Sequence, residues 1–287
     1  MQSPGAIQVW PLVVSEFALD GGAMFGVIPR KLWSRSYRPD DQGRIRLVSR
    51  VLALRFSDQG RTVVIDSGMG RAWTERDVRR YDLNLDVPDL EAALDSIGIS
   101  ARDVTDAVMT HLHFDHAGGW VTHKGDGRPR PVLCNARHHI QREQWDWAAN
   151  PSQRDKGSFI PGNYSPLEKA GLVDFVDGSK ELLPGLSVLA LNGHTPGLQI
   201  PIIRGAEKTL AFFADLVPTA SHANLPWIMA YDLFPLDTLD EKTRILKRAV
   251  EENWVVVLEH DVEVEAAVVQ KIDDKFKLVP CACPTVI

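Results

Sequence analysis

The chain has 287 residues, 44% hydrophobic and 24% charged, ordinary proportions for a globular protein long enough to bury a sizeable core. A formal charge of −6 offers no basic field to nucleic acid or to an anionic membrane surface, so neither partner is expected. No run approaches the ~18 apolar residues of a spanning helix. The opening "MQSPGAIQVWPLVV" lacks the basic start and long apolar stretch of a secretory signal, which makes the cytoplasm the expected location.

In chain order, the first strand candidates are residues 6–14, 46–56, 62–68 and 106–110, β-branched and apolar with Gly or Asp at several ends. A second group covers 186–192, 198–205, 209–215 and 254–260. Helical spacing marks 89–99, 140–149 and 237–252, the last with Asp237 or Thr238 as N-cap and acids before bases, as the helix dipole favours. His138 and His139 fall where the second of these helices begins, and His123 falls in the polar turn "THKGDG". Neither linker nor repeat divides the chain, so 1–287 is expected to be one domain. Periodicity leaves open two packed sheets or one doubly wound parallel sheet.

The stretch "THLHFDHAGG" (110–119) puts His111, His113, Asp115 and His116 into six residues, in the loop after a strand. Side chains two apart on an extended segment point the same way, so His111 and His113 can address one metal. Asp115 and His116 can turn to a second, while Gly118 and Gly119 let the backbone pass closely. Three further strands end on metal-competent residues: His194 in "LNGHTPG", Asp215 in "FFADLVP" and His260 in "VLEHD". The three cysteines, Cys134, Cys281 and Cys283, offer no zinc-finger spacing, and the last two are expected as free thiols near a frayed C-terminus.

"HLHFDH" followed by "GHTPG", a later Asp and a last His, with "IDSG" (65–68) upstream, resembles the metallo-β-lactamase superfamily over about residues 46–261. The resemblance implies an α/β fold of four layers, an αββα sandwich. It implies that His111, His113 and His194 hold one divalent ion, that Asp115, His116 and His260 hold another, and that Asp215 bridges them. Asp66 would support the ligands from behind. Imidazole and carboxylate without thiolate suit zinc best, and also iron or manganese. Such a pair of ions activates a shared water for hydrolysis, with Asp115 and Asp215 as catalytic residues.

Within the superfamily the motifs are most similar to acyl-homoserine lactonases and methyl parathion hydrolase-like esterases, which implies a lactone or carboxylic ester as substrate. Alternatives are a phosphotriester or aryl ester at the same site, or a non-catalytic metal binder. Some lactonases carry a substrate-binding Tyr three residues after the bridging Asp. Here that position is Pro218, and His222 or Tyr231 is the candidate substitute. Residues 1–45 are expected to supply a strand and then, in "GGAMFGVIPRKLW" (21–33), an apolar loop over the site. Met24, Phe25, Phe114, Trp120 and Trp227 are the apolar candidates for the pocket wall. These aromatics could equally serve as core or as a homodimer surface. Arg30 and Lys31 are the only basic candidates in that N-terminal loop.

Overall fold

The computed structural model describes residues 5–123 and 127–287. Residues 1–4 of the opening stretch and 124–126 of the "THKGDG" turn lie outside the described residues. The first half of the chain forms β1 (Ile7–Asp20), β2 (Arg44–Phe56), β3 (Arg61–Ile65), β4 (Asp106–Val108), a small ladder of β5 (Val121–Thr122) with β6 (Arg130–Pro131), then β7 (Arg137–Gln141) and β8 (Val173–Val176). The second half forms β9 (Lys180–Leu183), β10 (Leu186–Leu191), β11 (Leu198–Arg204), β12 (Thr209–Phe212), β13 (Val255–Val257), β14 (Ala266–Ile272) and β15 (Lys275–Cys281). Two large sheets result, ordered β1-β2-β3-β4-β7-β8 and β15-β14-β13-β12-β11-β10-β9.

The apolar run of β2 explains why two sheets face each other. Successive side chains of a strand point to opposite faces. Leu52, Leu54 and Phe56 of β2, with Val63 and Ile65 of β3, meet Val188, Ile200, Ile202 and Phe212 of the second sheet. Val51, Ala53 and Val64 point the other way, into a separate core under helices α4 (Leu90–Ser96) and α6 (Arg142–Ala149). A strand covered on both faces needs a continuous hydrophobic run rather than an alternating one. Helix α8 (Pro235–Glu251) packs Ile245, Leu246 and Ala249 beside the second sheet, completing the αββα order. Among the described residues no helix is long and apolar enough to cross a membrane.

Several local expectations change. Strand β1 continues to Asp20, and residues 21–33 form two short helices, α1 (Gly21–Phe25) and α2 (Arg30–Trp33), instead of a loop. His138 and His139 lie in β7, between β4 and β8, so the helix after them starts only at Arg142. Helix α8 starts at Pro235 with Phe234 at the N-cap and no side-chain cap, ahead of Asp237 and Thr238. Proline's fixed φ suits a first helical position. The C-terminus is not frayed: the thiols are free, but Ile287 is buried and exchanges both backbone hydrogen bonds with Ile7. The hairpin β14–β15 turns through Asp273 and Asp274, both with positive φ, as a tight hairpin turn requires.

β3 runs parallel to β4, and β12 parallel to β13. The segments that follow these four strands, together with the turn between β10 and β11, carry every candidate metal donor described next.

Candidate metal centre

The chain leaves β4, crosses "THLH" in extended form and closes one helical turn, α5 (Phe114–Ala117), with His113 as its N-cap residue. His111 Nε2 lies 3.1 Å from His113 Nδ1, which lies 3.1 Å from His194 Nε2. Asp215 Oδ2 is 3.1 Å from His194 Nε2 and 3.8 Å from His111 Nε2. The other oxygen, Asp215 Oδ1, is 3.1 Å from His260 Nε2 and 3.5 Å from His116 Nε2. Asp115 Oδ2 joins that second set, 3.9 Å from His116 Nε2 and 3.8 Å from His260 Nε2. Gly118 and Gly119 allow the loop this position, since a Cβ on either would meet the carbonyl oxygens of Met69 and Ser67 at 2.1 and 2.3 Å.

All these donors are buried. Burial, aided by the neighbouring imidazoles, lowers His111 and His113 well below the usual histidine range, so both rings are neutral with lone pairs available. Burial alone would protonate Asp215, but His116, His194 and His260 hold it ionised, well below the usual carboxylate range. Asp215 Oδ1 is nevertheless buried without a hydrogen bond. Such an orphan is expensive unless something else satisfies it. Neutral imidazoles and carboxylates converging in two groups fit a divalent ion in each.

The candidate ligands are braced from outside. Asp66 follows β3 with φ 57° and accepts from the Thr110 N–H at 2.7 Å and from the Thr110 hydroxyl at 2.5 Å. It also approaches His116 Nδ1 at 3.1 Å, and Glu259 Oε2 reaches the same nitrogen at 3.0 Å. Asp232 accepts from His194 Nδ1 at 2.8 Å, and the Val48 carbonyl accepts from His260 Nδ1 at 2.8 Å. The hydrogen bonds to Asp66, Asp232 and the Val48 carbonyl fix ring orientation and tautomer, while Glu259 adds its charge beside His116. Asp232 and Glu259 were not found from the sequence, where each is an acid with no motif of its own.

Beside the donors opens a cavity of about 260 Å³. Met24, Phe114 and Tyr231 line it, as do Leu19, Leu47 and Met229. Burial, followed by the Asp115 carboxylate, raises the Tyr231 hydroxyl above its ordinary range, so it remains a neutral donor. Four expected wall residues stand back. Phe25 is fully buried, stacked on Trp33 and His222 at 5.3 and 4.9 Å, and Trp227 meets its edge at 5.6 Å. His222 has both nitrogens engaged, with Thr219 Oγ1 at 2.7 Å and the Met24 carbonyl at 2.8 Å, so it supports the wall rather than facing the cavity. Trp120 is buried in the outer core against His138. Arg30 and Lys31 are exposed on α2, away from the cavity, whose basic residue is Arg80 of helix α3 (Glu75–Tyr81).

The sequence pattern of the Metallo-beta-lactamase superfamily matches residues 46–260, which include all seven donors. The chain belongs to this superfamily. Among curated proteins it is 27% identical over 174 residues to an N-acyl homoserine lactonase of Bacillus sp., a match covering 60% of this chain and 62% of the relative. It is 26% identical to the N-acyl homoserine lactonase AttM of Rhizobium radiobacter, over 58% of this chain and 61% of that one. The matched region thus spans less than two thirds of these relatives. Among solved structures, one described as a probable metal-dependent hydrolase from Staphylococcus aureus superposes with TM-score 0.86 at 26% identity, covering 99% of this chain and 100% of the other. The lactonase AidC, described as dizinc and in complex with a product, shares the fold with TM-score 0.79 at 20% identity, covering 99% and 97%. The likeness to these structures covers the first 45 residues and the tail as well as the matched core.

Proposed function

We propose that this chain is a dinuclear metal-dependent hydrolase of lactones or carboxylic esters, similar to the acyl-homoserine lactonases. The observation that carries the reading is Asp215, which lines the cavity and whose two oxygens face two different imidazole sets. The lactonase relatives and the absence of any thiolate among the donors support it. His111, His113 and His194 would hold one ion, Asp115, His116 and His260 the other, with Asp215 shared; zinc suits the set best. Bound ions of this kind lower the pKa of water toward about 7 and polarise a carbonyl.

The remaining work falls to side chains on the cavity wall. Asp115 lines the cavity and would take a proton from the attacking water. Tyr231 presents a neutral hydroxyl that can donate to the oxygen developing negative charge. Leu19, Met24, Leu47 and Phe114 exclude water and receive an apolar acyl group.

The test is elemental mass spectrometry on protein purified without added metal, followed by lactone and ester hydrolysis. About two ions per chain and lactone turnover are expected. In Asp215→Asn, metal content should fall below one ion per chain and turnover should vanish. Wild-type protein that takes up no metal on titration, or loaded protein inert toward every lactone and ester, overturns the reading.

A further inference from the structure

The cavity carries one charged side chain that the metal centre does not use. Arg80 ends the sequence "ERDVRR" in α3, and its guanidinium lies 5.4 Å from the centroid of the Tyr81 ring. Its backbone is pinned: Arg44 of β2 donates to the carbonyls of Arg79 and Arg80 at 3.1 and 3.0 Å. Arg46 holds the next residue, donating to the Asp82 carbonyl at 3.0 Å and to its carboxylate at 2.6 Å. Tyr81 is fixed in turn, packed on Phe114 at 5.1 Å and Trp73 at 5.4 Å. The platform is therefore rigid, and only the guanidinium is left to its own interactions.

Those interactions are incomplete. Arg79 pairs with Glu75, but among the described residues no carboxylate pairs with Arg80. The hydroxyls of Tyr81 and Tyr231, both on the cavity wall, likewise have no hydrogen-bond partner among the described residues. The other charged groups of the lining, Asp115 and Asp215, are directed at the imidazole sets. A guanidinium held on an aromatic face with its donors free matches a planar carboxylate, which it can grip through two parallel hydrogen bonds.

We propose that Arg80, with the Tyr81 and Tyr231 hydroxyls, forms a subsite for a carboxylate on the substrate, so that this enzyme selects esters or lactones whose acyl chain carries an anionic group remote from the scissile carbonyl. The inference rests on the hydrolase reading above and narrows its substrate to a charged class that an apolar lining alone would reject.

The test uses metal-loaded full-length protein and two para-nitrophenyl esters of equal length, the monoester of adipic acid and that of adipamic acid. They differ only in carboxylate against carboxamide at the far end. Wild type should favour the carboxylate in kcat/KM by about five- to tenfold, and added salt should erode the preference. The ratio should collapse toward unity in Arg80→Gln, recover in part in Arg80→Lys, and persist in Arg79→Gln. A wild-type ratio near one, or a ratio unchanged in Arg80→Gln, overturns the subsite while leaving the hydrolase reading intact. Calorimetric titration with hexanesulfonate gives a readout independent of turnover. If neither these esters nor any lactone or ester tested is hydrolysed but hexanesulfonate binds wild type several-fold more tightly than Arg80→Gln, the hydrolase reading fails and the anion subsite stands. If hexanesulfonate binds both alike, the subsite fails as well.

Discussion

Asp232 shows how far a metal site extends beyond its ligands. It sits 38 residues after His194 in sequence, yet its carboxylate receives the Nδ1 proton of that ring and leaves Nε2 free to point at Asp215. The Asp232→Asn change keeps an acceptor but removes its charge, so the ring loses basicity and its fixed orientation. Metal affinity should fall by about ten- to a hundredfold, measured by competition with a chromophoric chelator, with little change in melting temperature. Unchanged affinity would show that His194 needs no such brace. The same contrast explains what could be read in advance. The seven candidate donors were legible because four of them share one dense stretch after β4 and the other three follow β10, β12 and β13. Asp232 and Glu259 were not, because a brace is defined only by the ring it touches, and that contact forms across the fold. His222 misled for the opposite reason: a histidine near a pocket looks available until its two partners, Thr219 and the Met24 carbonyl, are known.

Elements with a clear hydrophobic period, such as α4, α6 and α8, were readable, and so was the division of strands into two groups. Strand β7 was not, since "RHHIQ" has no apolar run; it is a strand because β4 and β8 flank it on both sides. The segment 224–232, ahead of α8, forms neither helix nor strand, yet it carries Met229, Tyr231 and Asp232. What holds it is Lys242 of α8, almost wholly buried, whose Nζ donates to the carbonyls of Asn224, Leu225 and Trp227 at 3.1, 3.3 and 2.7 Å. Lys242→Met keeps the stem and deletes the donors, leaving three carbonyls short of a partner. It should destabilise the protein by about 2–3 kcal/mol in denaturant unfolding. Amide exchange should quicken in 225–232 while the sheets stay protected. Exchange that rises evenly across the molecule, or not at all, would show that the ammonium does not hold this loop.

At the scale of the whole molecule, the two sheets are tied together at their ends by contacts no local pattern announces: the last residue pairs with Ile7, and the second sheet is extended by a hairpin beyond the matched family region. Acid stability tests another such contact. His138 of β7 is buried against Trp120, with Nδ1 at 3.1 Å from the Ala136 carbonyl, and burial pushes it down to about 4 from 6.5. Between those values the unfolded chain binds a proton that the folded chain refuses. The neutral ring's stability advantage is therefore complete above pH 6.5 and is lost as pH falls toward 4, by about 3 kcal/mol. A His138→Asn variant lacks this slope. Every other titrating group is common to both proteins, so the difference between wild type and variant isolates His138, provided both are measured metal-depleted. That difference, from urea unfolding at intervals from pH 7 to 4, should move by about 3 kcal/mol in favour of the variant. A difference that stays constant across the range would mean that the ring takes up its proton without resistance from the core around it.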